Sequence, residues 1–162
     1  MTQIFYDRVA DSLIQDQERL YRLAYSYTYN TQDALDIVQS AAVKALTARP
    51  LREPEYIRTW VYRIVVNTAL DWLRRNKRLV PADDSFFEDQ DAPADAPADM
   101  DLQQALNRLP ANYRTVVVLR FFEEFKLEEI AQITSTNVNT VKTRLYRALE
   151  MMRVEMEGVE DD

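Results

Sequence analysis

Between Met1 and Glu157 the chain contains no glycine; its one glycine is Gly158. Tight β-hairpins need residues that accept positive φ, and glycine does so most readily. A chain without internal glycine can hardly build an antiparallel sheet, so an all-α protein is expected. Apolar residues fill 47% of the 162 positions, enough to bury a core in one domain or in two small ones. Apolar positions recur three and four apart in nearly every stretch free of proline, which is helix spacing.

The side chains that are missing narrow the chemistry. There is no cysteine and no histidine. That removes disulfides, thiolate nucleophiles, Ser-His and Cys-His pairs and most zinc sites. Nothing marks a carboxylate or lysine as catalytic, so no enzyme, cofactor or metal is expected. No apolar run approaches 18 residues and no signal peptide opens the chain. Membrane insertion is therefore not expected, and a cytoplasmic location is.

The net charge of −7 is unevenly spread. Residues 1–80 carry 12 basic and 9 acidic side chains, net +3, and residues 102–149 carry 7 and 4, again +3. Between them, PADDSFFEDQDAPADAPADMD (81–101) holds 8 acids and no base, and 150–162 holds 6 acids and one base. Proline, alanine and like charges disfavour packing. The expected organisation is two small helical domains joined by an acidic flexible linker. The boundaries are 1–79, a linker over 80–100, a second domain over 101–156, and an acidic tail over 157–162.

Within the first domain, Phe5, Val9 and Leu13, then Leu20, Leu23, Ala24 and Tyr27, predict a helix in two pieces. Asn30 and Thr31 offer N-caps for a helix over Gln32–Leu46. Pro50 and Pro54 bracket a loop, and a long helix follows over Glu55–Arg78. In the second domain a short helix is predicted over Asp101–Arg108. Pro110 suits the first turn of the next helix, which runs to about Glu123. KLEEIAQIT is another short helix. TSTN breaks the pattern and VNTVKTRLYRALEMMR resumes it.

Two of these segments suit nucleic acid. On a helical wheel, Val61, Tyr62, Val65, Val66, Ala69, Trp72 and Leu73 share one arc of the long helix. Arg63, Asn67, Asp71, Arg74 and Arg78 share the other, with Trp60 among them. Charges neutralise phosphates and an exposed ring gives a base a stacking surface. The alternative is that Trp60 folds back under the preceding loop as core. Glu128–Ile133, a break, then Val138–Arg153 has the layout of a helix-turn-helix. Its expected buried stripe is Val138, Val141, Leu145, Leu149 and Met152. Asn139, Lys142, Thr143, Tyr146 and Arg147 point elsewhere, and such groups bond base edges or phosphates. Solvated charged faces and helical hairpins share this pattern.

In order along the chain, three motifs resemble a known family. They are DALDIVQSAAVKAL (33–46), IRTWVYRIVVNTALDWLRRNKR (57–78) and LPANYRTVVVLRFFEE…LEEIAQI…VNTVKTRLYRA (109–148). Together they are similar to the sigma factors of bacterial RNA polymerase, in the extracytoplasmic-function group. The resemblance implies an alternative sigma factor that directs core polymerase to specific promoters and helps open the DNA. Its partners would be the β′ clamp helices and β flap of core polymerase, promoter DNA and an anti-sigma factor.

Carried over by position, Asp33, Asp36 and Gln39 would contact the polymerase clamp. Tyr56, Arg58, Trp60, Arg63, Asn67, Arg74, Arg75 and Arg78 would meet the minus-ten element. The loop Leu51–Tyr56 would read a base turned out of the strand. Arg120, Asn139, Lys142, Thr143, Tyr146 and Arg147 would meet the minus-thirty-five duplex. The linker would thread toward the RNA exit path as a polyanion, with Phe86 and Phe87 as apolar anchors. The chain departs from the family at Glu124, where a glycine is usual, at Lys126, in place of a Ser or Thr cap, and at Asn137 and Asn139, in place of Pro and Gly. Two rivals remain at this point. A self-sufficient helix-turn-helix regulator would explain 127–153 but not the first domain, and a helical adaptor would explain the acidity but not its segregation.

Overall fold

A computed structural model of the chain describes residues 2–51, 56–76 and 101–160, and these contain helices and turns with no strand. The acidic linker with Phe86 and Phe87, most of the loop after Leu51, Arg78 and the last two residues lie outside the described residues. The architecture is all-α, with two helical domains either side of the linker.

The first domain contains α1 (Thr2–Gln15), α2 (Gln17–Thr28), α3 (Thr31–Thr47) and α4 (Ile57–Asn76). Asp16 divides α1 from α2, as the two-piece reading expected, with backbone angles outside the helical well. Tyr29 ends α2 in the left-handed region, at φ 51°. Asn30 then takes an extended conformation and its side-chain oxygen accepts the Asp33 N–H at 2.9 Å, capping α3. That hydrogen bond satisfies one of the free donors at the helix start.

Helix α4 is the hub. It packs against α1, α2 and α3 and also against a helix of the second domain. Ile57, Val61, Val65 and Ala69 form one buried stripe, and Tyr62, Val66 and Leu73 widen it. A helix covered from several directions needs a broad apolar arc rather than a narrow one.

The second domain contains α5 (Asp101–Arg108), α6 (Ala111–Val117), α7 (Leu127–Thr134) and α8 (Val138–Glu160). Pro110 sits one position earlier than expected. It is the N-cap of α6, extended at ψ 149°, not part of its first turn. Nor does α6 run as a regular helix to Glu123. It passes at Val118–Phe122 into a π turn, in which the Glu123 N–H reaches back five residues to the Val118 carbonyl at 3.0 Å. Single π turns recur where a chain must re-aim side chains for function.

One further correction falls on α8. Leu149 is 42% exposed, and Ala148 is buried in its place beside Val141 and Met152. At helical spacing Ala148 lies about 20° from Val141, and Leu149 about 80° away. Val138 and Leu145 are half-buried.

The two domains share a core. Val116, Val118, Leu119, Phe125, Ile130, Ala131, Ile133 and Val141 are continuous with the buried side chains of α1–α4. A smaller cluster, Ala105, Leu106, Leu109, Val117, Ala148 and Met152, closes α5 and α6 onto α8. The seam is also polar. The Tyr27 and Thr115 hydroxyls hydrogen bond directly; because Thr115 donates to the Ala111 carbonyl at 2.8 Å, Tyr27 is the donor. Burial pushes the Tyr27 hydroxyl up to about 12, against the opposing pull of the Arg114 charge. Arg114 is 1% exposed and spans the seam, donating to the Ser26 carbonyl at 2.8 Å and to Leu109 and Asn107 carbonyls at 3.0 and 3.3 Å.

Candidate nucleic-acid interface

Three surfaces carry the residues singled out by sequence. On α8, Asn139, Lys142, Thr143, Tyr146 and Arg147 are all exposed, and the Tyr146 ring is 75% open. Local chemistry positions this helix. Ser135 turns the chain in the left-handed region at φ 59° and ends α7. The Asn137 side-chain oxygen then accepts the Thr140 N–H at 2.8 Å and caps α8. The unusual φ therefore falls on Ser135, and Asn137 supplies the cap. Glu124 adopts φ 59°, so the backbone at this position has the left-handed geometry that a glycine suits. Lys126 cannot accept a hydrogen bond, so the cap of α7 is inverted: Glu129 accepts the Lys126 N–H at 2.8 Å. Arg120 is exposed, but its guanidinium donates to the Phe125 carbonyl at 3.0 Å and braces the turn before α7.

On α4, Arg63, Asn67, Arg74 and Arg75 are exposed and Tyr56 is 43% exposed at its start. Arg74 pairs with Asp71 one turn earlier, so the acid on this face holds a neighbouring base. Trp60 is half-buried, its ring 5.8 Å from that of Phe5 on α1. Arg58 is turned into the seam. It binds Asp16 at 2.8 Å and lies 4.6 Å from the Phe125 ring centroid and 5.4 Å from that of Tyr62. Burial works to lower its pKa, but the hydrogen bond and charge of Asp16 outweigh burial and raise it.

On α3, Asp36 and Gln39 are exposed and Asp33 is half-buried at the capped end. A feature that the sequence reading missed runs beside them. Leu35, Val43 and Leu46 are 41%, 62% and 42% exposed, and together with Gln39 they form an open, largely apolar stripe. The spacing 35, 39, 43, 46 is helical, and the signal was hidden because the opposite stripe, Ala34, Ile37, Ala41 and Ala45, is apolar too. Between the domains lies a groove of about 620 Å³, lined by Tyr21, Tyr25 and Tyr29 on one side and Leu102, Leu106 and Phe122 on the other. Among the described residues no helix is long and apolar enough to cross a membrane.

Comparison with known proteins gives matches to both halves of the chain. The family model "Sigma-70 region 2" matches residues 13–79, and "Sigma-70, region 4" matches residues 99–152. The chain is 50% identical to the RNA polymerase sigma factor SigV of Bacillus subtilis, over 86% of each protein. It is 31% identical to the ECF RNA polymerase sigma factor SigW of the same organism, over 93% of this chain and 89% of that one. Among solved structures, CnrH in complex with the cytosolic domain of CnrY aligns with a TM-score of 0.69 over 95% of this chain and 97% of the other. The sigma factor RpoE in complex with the anti-sigma factor NepR from Bartonella quintana aligns with a TM-score of 0.66, over 91% and 96%. Both are 21% identical, a likeness of fold.

Proposed function

The chain belongs to the sigma-70 family of RNA polymerase sigma factors, in the extracytoplasmic-function group, and from that premise we propose how its surfaces divide the work of directing core polymerase to promoters. Residues 1–79 bind the polymerase and open the minus-ten element. Residues 101–156 read the minus-thirty-five element, 80–100 connect them, and 157–162 are a tail. The factor acts in the cytoplasm and has no catalytic role of its own.

The observation that carries this reading is the outward face of α8. Lys142 and Arg147 suit guanine edges or phosphates, Asn139 and Thr143 suit base edges or phosphates, and Tyr146 adds an exposed ring. Arg63, Asn67, Arg74 and Arg75 line the minus-ten surface, with Tyr56, Arg58 and Trp60 at its edge. Asp36 and Gln39 engage the polymerase clamp with Asp33 behind them, and the Leu35, Val43 and Leu46 stripe supplies the apolar area that a stable contact needs. An anti-sigma factor is the regulator we assign, since both aligned structures hold such a partner or a cytosolic domain in complex.

Run-off transcription with purified core polymerase on a promoter library tests the reading. Promoter-specific transcripts that require this chain are expected. Nanomolar sequence-specific duplex binding by the isolated chain at about 150 mM salt would instead favour a self-sufficient regulator, because two domains of net +3 give little phosphate-driven affinity.

A further inference from the structure

Glu123 is a buried acid, 1% exposed, and among the described residues neither of its carboxylate oxygens has a hydrogen-bond partner. It sits at the end of the π turn, where the second domain meets the first. The groups that face it come from the first domain. From α2 come Arg19 and Arg22, whose nitrogens stand 3.9 and 3.8 Å from one oxygen, too far to donate. Asp16 precedes them, and Arg58 and Tyr62 come from α4. On its own segment Arg120 is turned to the Phe125 carbonyl and Glu124 faces solvent.

A carboxylate in this setting is desolvated by docking of the domains and only partly compensated. Taking an ion out of water costs several kcal/mol, and charges at nearly 4 Å without hydrogen bonds return part of it. Burial raises the Glu123 pKa above its ordinary 4.5, against the pull of Arg22 and Arg19. The chain has no histidine, the residue that commonly responds near neutral pH.

We propose that Glu123 makes the seam between the domains responsive to protons, closing it when the carboxyl is protonated and loosening it when ionised. Resting on the function assigned above, the closed seam withholds Arg58 from promoter DNA, since Phe125 of the second domain lies over that guanidinium. The sign follows from linkage. The docked pKa is the higher one, so the proton's contribution to docking is complete below the undocked value and is lost as pH rises through the docked value.

The full chain has no cysteine, so Thr47→Cys and Glu150→Cys give unique labelling positions, both exposed, one on each domain. Energy transfer between dyes there is followed through urea titrations at about pH 5.5 and about pH 8, a range in which a buried glutamic acid can titrate. The domains should separate at lower urea at the higher pH, with docking at least about threefold weaker. Glu123→Gln should remove that difference and hold the domains together at the higher pH, and Glu123→Met, which keeps the volume, should act alike. Circular dichroism confirms that each variant is folded. Equal docking of the unsubstituted chain at both pH values, or domains that separate more easily in both variants, overturns the proposal. The second result would make Glu123 an ion-pair clasp. Neither DNA nor polymerase is present, so the outcome is independent of the transcription assay that tests the assigned function.

Discussion

Glu124 holds a left-handed backbone with a β-carbon in place. That geometry costs a non-glycine residue about 1–2 kcal/mol, while glycine gives back roughly 0.5–1 kcal/mol in unfolded-state entropy. Glu124→Gly should therefore raise stability by up to about 1 kcal/mol, and Glu124→Val should lower it by about as much or more, since a β-branched side chain fits this region worst. Urea unfolding of both variants measures it. The departure at this position was visible in the sequence only through the family resemblance, and the left-handed φ that gives it meaning comes from the structure. Arg114 was not legible in the same way. A lone arginine in a run of uncharged residues reads as a solvent-seeking cation, and nothing in its spacing says that three carbonyls from both domains converge on it. Burial lowers its pKa, and among the described residues only the Tyr29 and Tyr27 hydroxyls counter this. Arg114→Lys cannot reproduce three separated donors, and a loss of roughly 2–4 kcal/mol is expected by the same measurement.

Helix boundaries followed from caps and breaks that elementary chemistry makes readable. Asn30 starts a helix with its side-chain cap, and the TSTN segment stops one where Ser135 turns left-handed. The face of a helix was harder to read where both faces carry apolar groups. Trp60 was placed on an exposed arc and is half-covered by Phe5 of α1, because a wheel drawn for one helix does not contain its neighbours. The same limit hid the α3 stripe. Val43→Glu should leave helicity unchanged, since Val43 is 62% exposed. It should weaken binding to core polymerase at least about tenfold, which is the scale of burying and then losing one apolar anchor. On α8, Lys142→Ala and Arg147→Ala are each expected to cost about 1–3 kcal/mol of promoter binding by the polymerase complex. A base-reading residue relaxes preference at one position, whereas a phosphate contact weakens all sequences alike. Binding measured across single-base promoter variants separates the two.

The domains of this chain share a core, and that arrangement cannot read two promoter elements together. A folded body of 162 residues has a radius of gyration of about 15 Å, so it is about 40 Å across. Elements centred about 25 base pairs apart on B-DNA are separated by roughly 85 Å. The first domain on one element and the second on the other therefore require the seam of Tyr27, Arg114, Thr115, Glu123 and Phe125 to part. Each domain keeps buried side chains of its own when it does: Leu20, Leu23, Ala34, Ile37 and Val65 in the first, and the cluster around Leu109, Ala148 and Met152 in the second. The segment from 77 to 100 has 24 residues, with a fully extended reach of roughly 80 Å, enough to permit the separation. None of this was legible from composition, which suggests a division of the chain at its charge boundaries but says nothing about whether the two parts rest against each other. The Tyr27–Thr115 and Ser26–Arg114 hydrogen bonds across the seam each join residues 88 positions apart, and no local pattern encodes such a pairing. The consequence is measurable with spin labels at the same Thr47→Cys and Glu150→Cys positions. In the free chain their separation should fall within about 40 Å. In a complex with core polymerase and a two-element promoter it should move beyond about 60 Å, toward the spacing of the elements. A separation that stays at its free value while the complex transcribes would mean that one domain alone engages DNA, and the division of labour assigned to α4 and α8 would have to be given up.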